Sequence, residues 1–253
     1  MQNDKPDQSF NSIANKFEKN IYGSTKGKLR HELLFHHLRS IVPIEAGQLH
    51  VLDAGGGTGV MTQPLLELGH RVLLNDLSED VLQLAEQKLG NHPNLHIQQG
   101  EIQHQQSQNG FDLIICHAVL EWLQNPLEVI QHLVRLLKPG GYLSLSFFNR
   151  DAHRFGNLLY GNFDYVKAGM KHKNTVRLNP NNSLSPKEVI QALQDLQLDI
   201  VHRAGIRCIH DYLKQPDIQT SRYDEVKEME IAYGDKEPYL WLGKYFHLIV
   251  CKA

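Results

Sequence analysis

Apolar residues recur along this chain in two rhythms. Phe10, Ile13, Ala14, Phe17 and Ile21 return at helical spacing, and Leu29, Leu33, Leu34, Leu38 and Ile41 do so again after Ser24 and Thr25. Two helices are therefore expected before the first strand. From Leu49 onward, short apolar runs alternate with amphipathic stretches. The runs His50 to Asp53, Arg71 to Asn75, Leu95 to Gln98, Phe111 to Cys116, Tyr142 to Phe148, His202 to Ile209 and Phe246 to Cys251 read as strands. The stretches between them carry helix starts. Ser78 caps a first turn holding Glu79 and Asp80, while Asn125-Pro126-Leu127-Glu128 and Ser185-Pro186-Lys187-Glu188 each read as cap, proline and capping-box glutamate. Lys138-Pro139-Gly140-Gly141 is expected to end one helix and turn the chain into the next strand. Strands alternating with helices predict an α/β fold, a mostly parallel sheet with helices on both faces.

The alternation fails between Asn149 and Asn182, where basic and aromatic residues mix. This stretch, 149–182, reads as a substrate-facing insert in a single domain spanning 10–253, preceded by a polar, flexible start at 1–9. A length of 253 residues, with 41% hydrophobic and 21% charged positions, permits an ordinary globular core. The net charge of −2 means that any nucleic-acid partner must be met by a local basic patch. Cys116, Cys208 and Cys251 are far apart and suggest neither a disulfide framework nor a zinc cluster. The start is polar, without a signal-peptide core, and no apolar run approaches the ~20 residues that span a bilayer. The expectation is a cytoplasmic protein with no membrane partner.

The most informative stretch is Leu49-His50-Val51-Leu52-Asp53-Ala54-Gly55-Gly56-Gly57-Thr58-Gly59. A strand ending on an acid runs into a turn whose glycines, lacking Cβ, let the backbone come close to a ligand with N–H groups facing it. Counting from Gly55, the sixth position of a dinucleotide fingerprint is Val60, and the Gly-Lys-Ser/Thr ending of a phosphate loop is absent. The spacing Asp-x-Gly-x-Gly-x-Gly instead resembles motif I of class I S-adenosylmethionine-dependent methyltransferases. Gly55, Gly56 and Gly57 are then candidate cofactor contacts. Asp76 ends the second strand about 20 residues on, where an acid accepts hydrogen bonds from ribose hydroxyls. It could alternatively be a helix cap, but Ser78 is better placed for that. Ligands bind beyond the carboxyl ends of the strands in such sheets, which brings in His117 at the end of the fourth. Arg30 lies upstream on the second helix, where a solvated face is the default, although a fork-shaped guanidinium also suits the carboxylate of the cofactor's methionine end.

Longer segments narrow the reading. Asn20-Ile21-Tyr22-Gly23-Ser24-Thr25-Lys26-Gly27-Lys28-Leu29-Arg30, Gly161-Asn162-Phe163-Asp164-Tyr165-Val166-Lys167-Ala168-Gly169-Met170 and His210-Asp211-Tyr212-Leu213 resemble the tRNA 5-carboxymethoxyuridine methyltransferase family. The resemblance runs from about Phe10 to Val250. It implies a Rossmann-like class I methyltransferase fold and methylation, by S-adenosylmethionine, of the carboxylate of 5-carboxymethoxyuridine at the tRNA wobble position. It also implies cofactor contacts at Arg30, Gly55, Gly56, Asp76, the Ile102-Gln103 pair beside the adenine, and His117. One departure is that the family often has a denser lysine run where this chain has Lys171-His172-Lys173-Asn174-Thr175-Val176-Arg177.

The chemistry expected of such an enzyme is undemanding in proton transfer. A carboxylate with a reference pKa of about 4 arrives ionised near pH 7, so no general base is required and no catalytic acid or base is assigned. Rate should come from alignment of oxygen, methyl and sulfur and from exclusion of water. Tyr22, Lys26, Tyr165 and His210, on the matching segments, are the candidate substrate-positioning residues. Arg154, Lys171, Lys173 and Arg177, with interleaved Phe155, Tyr160 and Phe163, are candidates for a surface that neutralises phosphates and stacks a splayed base of the anticodon stem-loop. A lid over a small substrate fits the same residues. A small-molecule methyltransferase and a non-catalytic RNA-binding protein of the same fold therefore stay open. Among the 15 histidines, adjacent His36 and His37 face different directions on a helix, and no metal is expected.

Overall fold

The computed structural model describes residues 24–170 and 182–253. The expected first helix and 1–9 lie outside these residues. Helix α1 (Thr25–Ile41) opens on Ser24, whose Oγ accepts the Gly27 N–H at 3.2 Å. Its apolar stripe of Leu29, Leu33, Leu34 and Leu38 is fully buried, as the helical spacing requires. The strands β1 (His50–Ala54), β2 (Arg71–Asp76), β3 (Leu95–Gln99), β4 (Phe111–His117), β5 (Leu137–Phe148), β6 (Asp199–Ile206) and β7 (Tyr245–Cys251) form one sheet in the order β3-β2-β1-β4-β5-β7-β6. The first five are parallel, and β7 runs antiparallel between β5 and β6. The expected α/β architecture is therefore present, with strand order reversing between β1 and β4.

Period-two alternation places the core on both faces of the sheet. In β4, Leu113 and Ile115 join the cluster under α1, with Val51, Val72 and Ile249, while Ile114 and Cys116 face the other side. There they meet Val129, Ile130 and Leu133 of α4 (Pro126–Leu136) and Val189 and Leu193 of α7 (Pro186–Asp195). The remaining helices are α2 (Thr62–Glu67), α3 (Glu79–Leu89), α5 (Arg150–Leu159), α6 (Phe163–Lys167), α8 (Ile218–Ser221) and α9 (Tyr223–Tyr233). No helix among the described residues is long and apolar enough to cross a membrane.

Several local expectations change. Neither Asn125 nor Ser185 makes a side-chain cap bond, so Pro126 and Pro186 start α4 and α7 through their preset φ alone. Glu188 pairs with Arg150 at 2.6 Å instead of returning to its own helix start. Lys138-Pro139-Gly140-Gly141 lies within β5, its Gly140 N–H donating to Lys252 O at 2.7 Å. The strand expected over His202 to Ile209 begins earlier and ends at Ile206. There Arg207 takes a positive φ of 62°, and the Glu230 carboxylate accepts the N–H groups of Cys208, Ile209 and His210 at 2.8–2.9 Å.

The turn before β7 depends on a close backbone approach. A Cβ on Gly205 would sit 3.0 Å from Gly243 Cα and against the Leu240 carbonyl. Gly205→Ala is expected to destabilise the protein by about 1–3 kcal/mol through overpacking. Chemical denaturation checks this, and an unchanged midpoint would show that the two backbones separate freely.

Candidate functional site

The candidate site lies beyond the carboxyl edge of the parallel strands, where β1 and β4 part. Glycines 55, 57 and 59 have φ of 69°, 61° and 76°, a region that side chains disfavour. A Cβ on Gly55 would come within 2.6 Å of Val119 Cγ2. The sequence suggested that the turn's N–H groups would face a ligand freely, but those of Gly55, Gly56 and Gly57 are taken within the protein. Gly55 and Gly56 both donate to Asn75 O at 2.8 and 3.0 Å, and Gly57 donates to Asp76 Oδ2 at 3.0 Å. The glycines thus serve close approach of the backbone more than donation. Asp53, at the end of β1, is fully enclosed and accepts the Thr62 hydroxyl at 2.7 Å. Burial pushes its carboxyl up to about 6, against the pull of that hydrogen bond.

Asp76 takes the position the spacing suggested. Its Oδ1 accepts the Ser78 N–H at 2.9 Å, and Ser78 itself caps α3. Burial raises the Asp76 carboxyl above its usual range, while N–H donors from Ser78, Gly57 and Leu77 hold it back. A carboxylate offers about four acceptor positions, so it can still receive ribose hydroxyls. The turn Ile102–His104 follows β3, with Ile102 buried and Gln103 half-buried. A cleft of about 430 Å³ opens beside it, lined by Leu77, Glu101, Gln103 and the start of α4. A larger depression of about 810 Å³ lies at the opposite strand edge, around His50, Arg71 and Leu95. It is remote from the turn, so size alone does not mark the site.

Arg30 is buried in α1, although a solvated helix face would be the default for arginine. Its guanidinium lies 5.1 Å from the Tyr245 ring centroid and 3.4 Å from His31 Nε2. Its charge reaches His117 and Glu121, so sheet and helix bring Arg30 and His117 to one place. His117 Nε2 lies 2.7 Å from Ser144 Oγ, which lies 2.9 Å from His247 Nε2, whose Nδ1 is 3.1 Å from His37 Nδ1. Burial first, then neighbouring charge, pushes His117 down to about 3 and His37 to about 3, and lowers His247 too. His36 is exposed and His37 buried, yet their rings stay 5.7 Å apart edge to face, and His37 also meets His202 and His247 from other elements. Their ring nitrogens lie within 4.8 Å of one another, the set among the described residues that could hold a cation.

The substrate candidates are distributed unevenly. Lys26 stands exposed on the first turn of α1, its carbonyl accepting from Arg207 at 3.4 Å. His210 is fully buried, with Nδ1 2.8 Å from Asp211 Oδ1, so it acts on its neighbour and not on a surface. Tyr165, on α6, lies 6.1 Å from the His153 ring, which faces Phe148 at 5.0 Å. Arg154 is exposed and paired with Asp151 at 3.3 Å. Tyr22, Lys171, Lys173 and Arg177 lie outside the described residues. The sequence reading passed over Glu121, Arg207, Lys244 and Tyr245. The latter three flank the edge where β6 ends and β7 begins, and charged residues at that junction were the available signal. Glu121 is fully buried, and desolvation pushes it up to about 7.

Comparison with known proteins gives a consistent picture. The methyltransferase domain family matches residues 52–145, from β1 into β5. The tRNA 5-carboxymethoxyuridine methyltransferase of Escherichia coli (strain K12) is 39% identical over 252 residues, 97% of each chain. A malonyl-[acyl-carrier protein] O-methyltransferase of Halalkalibacterium halodurans is 36% identical over only 40% of each. Among solved structures, magnesium protoporphyrin IX methyltransferase from Synechocystis PCC 6803 with bound SAH aligns over 96% of both chains, with a TM-score of 0.65 and 17% identity. The last likeness concerns the fold alone.

Acid should act on this protein through its buried imidazoles. His37 and His117 stay neutral when folded but take protons below about 6.5 when unfolded, so the stability they contribute is lost as pH falls from about 6.5 toward 3. Asp53 and Glu121, raised to about 6 and about 7, have the opposite sign and gain stability as pH falls toward 4. The histidines, with larger shifts and His247 beside them, should prevail. The unfolding temperature should fall by several degrees between pH 7 and pH 5. Calorimetry showing it constant or rising would contradict the neutral cluster.

Proposed function

This chain belongs to the tRNA 5-carboxymethoxyuridine methyltransferase family, and on that premise we propose that it methylates the carboxylate of 5-carboxymethoxyuridine in tRNA to give a methyl ester. The carrying observation is the 39% identity to such an enzyme over 97% of both chains, which takes in the substrate side as well as the cofactor edge. The malonyl-[acyl-carrier protein] enzyme matches over only 40% of each chain, and a ubiquinone biosynthesis O-methyltransferase over 68% of this one at 28% identity. That difference in coverage favours tRNA over a small-molecule substrate.

The donor set fits S-adenosylmethionine. Asp76 offers carboxylate oxygens to ribose hydroxyls, Gln103 borders the cleft for an adenine with buried Ile102 next to it in the same turn, and buried Arg30 supplies a cation for the amino-acid carboxylate. Gly55 and Gly56 let the backbone approach closely, while His117, held through Ser144, stands at the end of β4 within reach of the Arg30 charge. When bound there, the cofactor supplies an electrophilic methyl on a cationic sulfur. The chain's own task is to present the uridine carboxylate in line with it and to keep water away. No residue need remove a proton, because the nucleophile arrives ionised.

We assign the wobble position of the anticodon stem-loop as the target, with residues 10–253 acting as one unit in the cytoplasm and 149–182 facing the RNA. Exposed Phe155, Tyr160 and Phe163 on and beside α5 and α6 support that placement, since flat aromatic side chains can stack splayed bases. The described cations there, Arg150, Arg154 and Lys167, already pair with Glu188, Asp151 and Asp164. Such exposed pairs are weak and can yield to phosphates.

With labelled S-adenosylmethionine, tRNA containing 5-carboxymethoxyuridine should acquire an alkali-labile methyl ester. Labelling no greater than on tRNA lacking the modification would falsify the assignment. Asp76→Asn should weaken S-adenosylmethionine binding by about 10-fold or more through loss of charge-assisted hydrogen bonds. Titration calorimetry on folded variant protein measures this, and an unchanged affinity would place the ribose elsewhere.

A further inference from the structure

Four cations converge on the strand edge next to the cofactor turn. Lys26 and Arg30 come from the first turns of α1, Arg207 follows β6, and Lys244 precedes β7. The guanidinium carbons of Arg30 and Arg207 lie 5.1 and 5.5 Å from the Tyr245 ring centroid, so two arginines share one aromatic ring. Lys244 Nζ lies 5.1 Å from the Phe148 ring centroid. Lys26 and Arg207 are close enough to act on Lys244 and on Asp211 alike.

The acids nearby do not balance this charge. Asp211 accepts Arg207 Nη2 at 3.0 Å. Burial would raise its carboxyl, but the His210 hydrogen bond and the charges of Arg207 and Lys26 hold it below the usual range. Glu230 is spent on three backbone N–H groups, and Glu121, pushed up to about 7, is a weak counter-charge. Among the described residues Lys244 has no acid within 4.0 Å, and Arg207 Nε is buried without a hydrogen-bond partner. Burial lowers Lys244, which is the cost of holding a cation there unpaired. A bound anion would remove that cost and satisfy Arg207.

We infer that Arg207, Lys244 and Lys26 form the subsite that receives the carboxylate of the modified uridine, leaving Arg30 to the cofactor's own carboxylate. This rests on the function proposed above. A carboxylate is favoured over a backbone phosphate because buried Arg207 and half-buried Lys244 lie against Tyr245 and Phe148, with Arg30 sharing the Tyr245 ring, instead of standing on an exposed surface. Tyr245 then keeps the two guanidiniums in register, one for each anion. Gripping the nucleophile stabilises the ground state as well as the transition state, so these cations should govern KM and discrimination more than kcat.

The test uses the full-length protein and two synthetic anticodon stem-loops that differ only in carrying 5-carboxymethoxyuridine or 5-methoxyuridine. The unaltered protein should bind the carboxylated loop about 10-fold or more tightly, the range for a charge-assisted contact. Lys244→Met and Arg207→Gln should abolish that preference and raise KM. Binding of the methoxy loop and of S-adenosylmethionine should stay within about twofold. Lys244→Arg should restore the preference. Should Arg207→Gln fail to fold, Lys244→Met decides alone. Retained preference in Lys244→Met, or lost S-adenosylmethionine affinity in its place, would overturn the subsite. An unaltered protein that makes the ester yet shows no preference would overturn the subsite while leaving the function intact. One that makes no ester would overturn the function, and the subsite with it.

Discussion

Two adjacent residues at the end of β2 gather backbone donors and acceptors from three loops. The Asn75 carbonyl takes the N–H groups of Gly55 and Gly56, and its side-chain amide reaches the carbonyls of Gln98 and Gly100 at 3.1 and 2.9 Å. The Asp76 carboxylate takes Gly57 and Ser78. The turn after β1, the start of α3 and the end of β3 are thus fixed against one dipeptide. A buried amide and carboxylate left unsatisfied here would cost several kcal/mol, so the loops cannot drift independently. The shape of the cofactor edge is in this sense a property of β2, although the glycines that mark it belong to another strand.

Charge is segregated across the neighbouring half of the sheet. Beneath α1, neutral imidazoles of His37, His117 and His247 are joined through Ser144 in a water-poor layer. Above it, at the strand ends, arginines and lysines outnumber ionised acids. The two are linked, because Arg30 depresses the proton affinity of His117 directly. Keeping the imidazoles uncharged confines positive charge to that edge and adds no competing cations beneath it.

The sequence exposed the parts of this arrangement that follow from local rules. The period of α1, the buried runs of β1 and β4, the Asp53 to Gly59 turn and the place of Asp76 all follow from spacing and from the stereochemistry of glycine. Residues defined by distant partners were harder to read. Arg30 looks like a surface arginine until α1 lies against Tyr245. His37 looks like half of a divergent pair until β6 and β7 bring His202 and His247 to it. The Asn125 and Ser185 caps failed for a related reason, since a proline can start a helix without a cap bond and Glu188 found Arg150 instead. Arg207 and Lys244 carry no motif, and only the antiparallel pairing of β6 with β7 sets them side by side.

That pairing has a consequence for how the sheet is put together. β7 is inserted between β5 and β6, both made earlier, and it carries Tyr245 and His247 with Lys244 just before it. Until it enters, β5 and β6 are unpaired edges, and Arg207 lacks both its ring and its neighbouring lysine. The parallel strands beside the glycine turn can pair with one another without β7, whereas the grouping of Arg207, Lys244 and Tyr245 requires it. Loss of β7 would leave the turn's own strands in register and scatter the cation cluster.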